Sequence, residues 1–159
     1  MLLIEMVSTE NTLTKSLIDT NILVYANNVD SPFHEKAKRI IQKAVKGEIP
    51  TAVSIQNLVE LYAVITDKRR VEHPLSPIRA RDLVEFYKDH ENIQVISPSA
   101  RTLEIFTGLI EKHKPRGQSI FDFLLAATMI DNDIHEIYTS NTAHFELFET
   151  IKTTNPIIA

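Results

Sequence analysis

The feature that most constrains how this chain can fold is the alternation of short apolar runs with longer stretches patterned at helical spacing. Ser16 to Ile18 reads as the end of a buried strand, which passes through Asp19-Thr20-Asn21 into a short apolar helix over Ile22 to Ala26. Ser31 is the expected N-cap of a second helix, with Pro32 in its first turn, Ala37, Ile40, Ile41, Ala44 and Val45 at helical spacing, and Gly47 as its stop. Pro50 to Val53 forms the second strand. Ser54 caps a helix to about Asp67, and Ser76, with Pro77 behind it, caps another to about His90. Ile93 to Ile96, bounded by Ser97-Pro98, is the third strand, and helix follows from Ser99 to about His113. The break Lys114-Pro115-Arg116-Gly117 ends that helix, and Ser119 opens another reaching about Asn132. Glu136 to Thr139 is the fourth strand and Ile151 to Thr153 a weak fifth. This order predicts an α/β fold with three layers, α/β/α, around a mainly parallel sheet of four or five strands.

With 159 residues and 43% hydrophobic content, the chain supports one ordinary core. Residues 16–159 are therefore expected to form a single domain, preceded by a polar, mobile arm over residues 1–15. The lack of cysteine excludes disulfides and thiolate zinc sites and fits a reducing cytoplasm. Met1 to Met6 is apolar apart from Glu5 but leads at once into Ser8, Thr9, Glu10, Asn11 and Thr12, without the basic region and cleavage site of a signal peptide. No uncharged apolar run approaches the roughly 18 residues of a membrane span, so a cytoplasmic location away from the bilayer is expected. A net charge of −4 argues against a protein that coats nucleic acid by bulk attraction. It is compatible with an enzyme that holds cations with carboxylates and gathers its Lys and Arg locally.

Three acids sit where their neighbours should pack inward. Asp19 lies in Leu17-Ile18-Asp19-Thr20-Asn21-Ile22-Leu23-Val24, at the carboxyl end of the first strand, the edge at which sites form in parallel sheets. Glu60 lies in Leu58-Val59-Glu60-Leu61-Tyr62, and Asp122 in Ile120-Phe121-Asp122-Phe123-Leu124-Leu125-Ala126-Ala127. An ionised carboxylate removed from water needs a cation, hydrogen-bond donors or a path to solvent. Each acid alone has a structural explanation. Asp19 can cap the following helix, Asp122 stands three residues after Ser119 as in an acidic capping box, and Glu60 can point off the polar side of its helix. Their joint occurrence, where consecutive βα units meet one rim of the sheet, favours a shared site.

At these residues the sequence resembles the PIN-domain family and, within it, the VapC-like toxins of VapBC toxin–antitoxin pairs. Four ordered blocks carry the resemblance: Leu17-Ile18-Asp19-Thr20-Asn21-Ile22-Leu23-Val24-Tyr25-Ala26, Ser54-Ile55-Gln56-Asn57-Leu58-Val59-Glu60, Phe121-Asp122-Phe123-Leu124-Leu125-Ala126-Ala127, and Tyr138-Thr139-Ser140-Asn141-Thr142-Ala143-His144-Phe145. The resemblance implies Asp19, Glu60 and Asp122 as metal-binding acids and Asn141 as a fourth site residue, where many relatives carry Asp. Asn can coordinate through its carbonyl oxygen but adds no charge, which weakens the case for a second metal ion. Asn21, two residues past Asp19, can orient that carboxylate or serve as a turn residue, and Thr20 is a supporting polar group beside it. The implied activity is a metal-dependent endoribonuclease whose cleavage leaves a 5′-phosphate and a 3′-hydroxyl. Mg²⁺ or Mn²⁺ is the implied cofactor, because hard oxygen ligands without Cys favour these ions over zinc. The implied partners are an RNA substrate, a VapB-like antitoxin and a second copy of the chain in a homodimer. The antitoxin is expected to thread a basic tail into the acidic cleft and to pack an apolar helix between the helices that follow Ser54 and Ser76, against Leu58, Leu61, Leu83 and Phe86.

Other readings fit less well. No His-x-x-x-His or His-Glu-x-x-His pair supports a histidine zinc site, and His144 reads as a loop residue. With three glycines in all, no phosphate-cradling Gly loop is available. Lys68-Arg69-Arg70 is the densest basic cluster; cations at a helix end account for it, and it is also a candidate for RNA contact. Tyr25 and Tyr62 read as packing residues. A catalytically weak PIN-like module for RNA binding or assembly is the alternative function, favoured by Asn141 and the low positive charge. A haloacid dehalogenase-type phosphatase would need an acid where Asn21 stands.

Overall fold

In the computed structural model residues 13–158 are described; most of the arm expected over residues 1–15 therefore lies outside the described residues. The apolar runs become five strands, β1 (Ser16–Ile18), β2 (Thr51–Ser54), β3 (Ile93–Ile96), β4 (Glu136–Tyr138) and β5 (Lys152–Thr154). All neighbours pair in parallel in the order β3-β2-β1-β4-β5. Among the described residues seven α-helices follow in chain order: α1 (Thr20–Asn27), α2 (His34–Val45), α3 (Ile55–Ile65), α4 (Pro77–Asp89), α5 (Ala100–His113), α6 (Ile120–Asp131) and α7 (Thr142–Phe145).

Side-chain alternation along the strands divides the core into two layers. Ile18 and Val53 pack with Ile22, Leu23, Leu58, Leu61 and Ile65 on the face covered by α1 to α4. Leu17, Ala52 and Ile137 pack with Phe123, Leu125, Ala126 and Met129 on the face covered by α5 and α6. Helices therefore flank the sheet on both sides, as the sequence predicts, and the fifth strand pairs as a full member. The strand order reverses between β1 and its neighbour β4, so a crevice opens at their carboxyl ends. Asp19 follows β1 there, and Thr139 follows β4.

Three local expectations shift. The helix expected from Ser31 starts at His34, with Phe33 as N-cap; Ser31 instead closes a preceding turn, its Oγ accepting from Phe33 N at 3.2 Å and its carbonyl from His34 N at 3.1 Å. Ser119 forms no capping box with Asp122, because its hydroxyl donates to the Arg116 carbonyl and residues 117–119 form a short 3-10 turn. The segment after Asn141 is helical rather than loop, and its Phe145 is anchored in the core at 1% exposure.

Candidate active site

Asp19 caps α1 through a 2.8 Å hydrogen bond from Thr20 N to its Oδ1, so the structural explanation of this residue is correct as far as it goes. It is incomplete, because the carboxylate accepts from three more groups. Thr139 Oγ1 donates to Oδ2 at 2.7 Å, Asn21 Nδ2 to Oδ2 at 3.2 Å and Asn57 Nδ2 to Oδ1 at 3.4 Å. Asn21 is itself fixed, its Oδ1 accepting from Ser140 N at 3.1 Å and its amide also reaching Thr139 Oγ1. Asn57 belongs to the capping box of α3, where Ser54 Oγ accepts from Asn57 N and Asn57 Oδ1 accepts from Ser54 N. The cap that starts α3 thereby also braces the first acid.

Glu60 lies one turn further along α3. Its Oε2 accepts from Thr20 Oγ1 at 2.9 Å and its Oε1 from Gln56 Nε2 at 2.9 Å, so it leans toward Asp19 instead of off the polar side of its helix. Asp122, in the first turn of α6, meets His144 Nδ1 at 3.1 Å. Asn141 caps α7, and its N–H donates to Thr139 Oγ1 at 3.0 Å.

Asp19, Thr20, Asn21, Glu60, Asp122 and Asn141 all line one open cleft of about 900 Å³. The three acids share it without closing tightly. Among the described residues, the trio of acidic or histidine groups whose ligand atoms fall within 4.8 Å of one another is instead Asp30, Glu72 and His73, exposed residues of which Asp30 and Glu72 line the same cleft. There His73 Nδ1 and Asp30 Oδ2 form a 2.7 Å pair. Of the basic cluster, Arg70 alone lines the cleft, while Arg69 forks onto Asp67 at 2.9 to 3.3 Å and Lys68 is exposed outside it.

The electrostatics match a site built for a cation. Burial pushes the Asp19 carboxyl up from 3.8 to about 6; the Thr139 and Thr20 hydrogen bonds pull it down, and the charges of Glu60 and Asp122 push it up again. Burial also raises Asp122, against the opposing pull of His144, and Glu60 adds to the rise. Among the described residues no Lys, Arg or His forms an ion pair with Asp19 or Glu60. A carboxylate at 8% exposure, sharing its cleft with Glu60 and Asp122 and without a cationic side chain among the described residues, could hold a hard divalent ion.

The PIN-domain model matches residues 16–148. This chain belongs to the PIN-domain family. Among its relatives, Ribonuclease VapC48 of Mycobacterium tuberculosis is 28% identical over 140 residues, covering 87% of this chain and 94% of that protein. Ribonuclease VapC33 of the same organism is 29% identical over 139 residues, covering 87% and 96%. Similar solved folds include VapC20 of M. tuberculosis, a Sarcin-Ricin loop cleaving toxin, with a TM-score of 0.63 at 20% identity and coverage of 83% and 94%. VapBC2 from Rickettsia felis bound to a promoter DNA fragment gives 0.64 at 20% identity, covering 89% of this chain and 98% of that one.

Sequence reasoning missed the polar frame around the acids. Thr139, Asn57, Gln56 and His144 all contact a site carboxylate, yet none is itself a lone charge in an apolar run. All four stand inside the blocks that carry the family resemblance, which is the one signal the sequence offers for them. The groove expected between α3 and α4 exists, about 500 Å³, but its walls differ from expectation. Ile55, Leu58, Val59, Tyr62, Val84 and Val95 line it, whereas Leu61 is fully buried in the core and Leu83 and Phe86 lie outside its walls. Tyr62, expected to be a packing residue, stands 38% exposed on it. No helix among the described residues is long and apolar enough to cross a membrane.

Proposed function

We propose that this PIN domain is a divalent-metal-dependent endoribonuclease, the toxin of a VapBC-type pair, with Asp19, Glu60 and Asp122 as its metal-binding acids and Asn141 as the fourth catalytic group. The carrying observation is the buried Asp19 carboxylate, opening with Glu60 and Asp122 on one cleft and lacking a cationic side-chain partner among the described residues. The names of the ribonuclease relatives support the reaction class. Asp19, Glu60 and Asp122 would hold Mg²⁺ or Mn²⁺, with Asn141 adding a neutral oxygen. When bound, the ion supplies charge neutralisation at the phosphate and a lowered pKa for water at the attacking position.

The chain's own residues prepare that site. Thr139 and Asn21 fix the Asp19 Oδ2 edge, Thr20 holds Glu60 and, through its N–H, Asp19 as well, and the α7 cap brings Asn141 to the rim. Such preorganisation shortens the movement by which the acids would close on a bound ion. Arg70 is the proposed anchor for an RNA phosphate entering the cleft, and Lys68 and Arg69 would add to the field outside it. We further propose a VapB-like antitoxin as partner, its apolar segment seated in the groove between α3 and α4, a homodimer as the assembly and the cytoplasm as the location.

The test is cleavage of RNA by the purified chain in Mg²⁺ or Mn²⁺ and in EDTA, beside Asp19→Asn prepared identically. Cleavage that requires the ion and disappears in the folded Asp19→Asn protein is the expected result. Equal cleavage by both proteins would remove the assignment, and absence of cleavage by the native chain would leave the alternative of an RNA-binding or assembly module.

A further inference from the structure

Gln56 bridges two helices that carry site acids. Its Nε2 donates to Glu60 Oε1 at 2.9 Å, one turn along α3, and to the Phe121 carbonyl at 3.0 Å, in the first turn of α6. An amide NH2 has two hydrogens, so both bonds form at once. The orientation is dictated by its surroundings: turned over, the amide would set its own oxygen against a carboxylate and a carbonyl. An ordinary pairing of residues four apart on a helix surface would explain the first bond. It does not explain the second, which spans 65 positions and ends on the residue directly before Asp122. Nor does it explain the far end of the amide, where Oε1 is buried and has no hydrogen-bond partner among the described residues. A buried acceptor left unpaired is unfavourable, and a methionine of similar length would avoid it.

We infer that Gln56 is a positioning residue of the metal site, a cross-brace that fixes Glu60 relative to the helix turn carrying Asp122. This rests on the proposed metal-binding role of those acids. The three carboxylates come from the N-cap of α1, from α3 and from α6 and repel one another, so their mutual placement depends on neutral donors between them. Thr20 ties Glu60 to the Asp19 end, and Gln56 ties it to the Asp122 end. Without the brace, Glu60 keeps Thr20 but loses its connection to α6, and the cleft must gather the two acids when the ion binds.

The test compares the native chain with Gln56→Met by calorimetric titration with Mn²⁺ and by thermal unfolding in EDTA. Groups that orient metal ligands typically change affinity by 10- to 100-fold when removed, so the Met variant should bind Mn²⁺ at least about tenfold more weakly. Its unfolding temperature in EDTA should change little, because removal of the unpaired Oε1 offsets the loss of the bonds to Glu60 and Phe121. Gln56→Ala carries the same expectation for Mn²⁺ and keeps the test decisive if the Met side chain is poorly accommodated. Mn²⁺ affinity within twofold of native would overturn the inference. So would a loss of affinity accompanied by an equal loss of stability in EDTA, which would make Gln56 a structural residue only. If the native chain itself binds no Mn²⁺, the metal assignment of the acids falls, and the brace falls with it.

Discussion

Replacing Asp19 by Asn should raise the stability of the metal-free protein at neutral pH. The carboxyl stands at 8% exposure and titrates at about 6 in the fold against an ordinary 3.8. At about 1.4 kcal/mol per pH unit, that gap disfavours the ionised form in the folded state by about 3 kcal/mol. Between pH 3.8 and 6 the folded chain binds more protons at this group than the unfolded chain does, so its contribution is intact at low pH and lost as pH rises through 6. Asn carries no charge and escapes that loss. It replaces one carboxylate oxygen by NH2, however, and sets a donor against Asn21 Nδ2, which the Ser140 N–H bond keeps from turning over. Thr139 can adapt by rotating its hydroxyl. Losing the Asn21 bond takes back about 1 to 2 kcal/mol. The net gain is about 1 to 2 kcal/mol, or roughly 2 to 8 °C in Tm for a chain of this size. Thermal unfolding of both proteins in EDTA should therefore show the Asn variant ahead at pH 7.5 and level or behind at pH 3.5. Millimolar Mg²⁺ should then raise only the native Tm, because an ion that binds the folded state alone stabilises it. An Asn variant less stable than native by the same margin at both pH values would refute the idea that burial of this charge opposes folding.

Arg70→Ala should raise KM for RNA about 3- to 10-fold and flatten its salt dependence, since Arg70 lines the cleft; Arg69→Ala, whose guanidinium is occupied by Asp67, should change KM by about twofold or less. Equal effects in steady-state cleavage assays would assign the anchor to the field of the whole cluster rather than to Arg70. Val59, 63% exposed on the groove between α3 and α4, should tolerate Lys without loss of RNA cleavage while affinity for a cognate antitoxin falls tenfold or more. An undiminished affinity in a direct binding titration would place the partner on another surface.

The elements were legible because they rest on local rules. Ser54, Ser76 and Ser99 cap helices as their positions predict, each hydroxyl accepting from a backbone N–H in the first turn. Gly47 follows the end of α2 with a φ of 71°, a backbone conformation that favours glycine over other residues. The departures arise where more than one local solution exists. Ser31 can cap a helix or close a turn, and Pro32 fits either; α7 is a single turn held by the burial of Phe145 rather than by its own pattern. Ser119 and Asp122 have capping-box spacing, but the φ of 63° at Gly117 and the turn that follows direct the serine hydroxyl to the Arg116 carbonyl.

The acids were legible for a different reason, and the same reason hid their frame. A lone carboxylate in an apolar run is conspicuous because its burial is unfavourable without compensation. The compensation comes from elsewhere in the chain: Thr139 reaches Asp19 across 120 positions, Asn57 across 38, and Gln56 reaches the Asp122 turn across 65. Thr, Asn and Gln are common at strand ends and in first helical turns for local reasons, so nothing in their own neighbourhoods marks them as partners of a distant charge. The parallel pairing of β1 with β2 and β4 sets the ends of the three strands side by side and turns the separations from Asp19 into hydrogen bonds, while the Gln56 bond joins α3 to α6. The frame also explains why Asp19 stays only partly compensated. Its four donors are neutral; the bonds from Thr139 and Thr20 lower its pKa without matching its charge, and the opposing charges of Glu60 and Asp122 remain. A fold under selection for stability alone would have placed Asn at position 19. The stability gained by that substitution in EDTA therefore measures how far the native cleft is held ready for a positive charge.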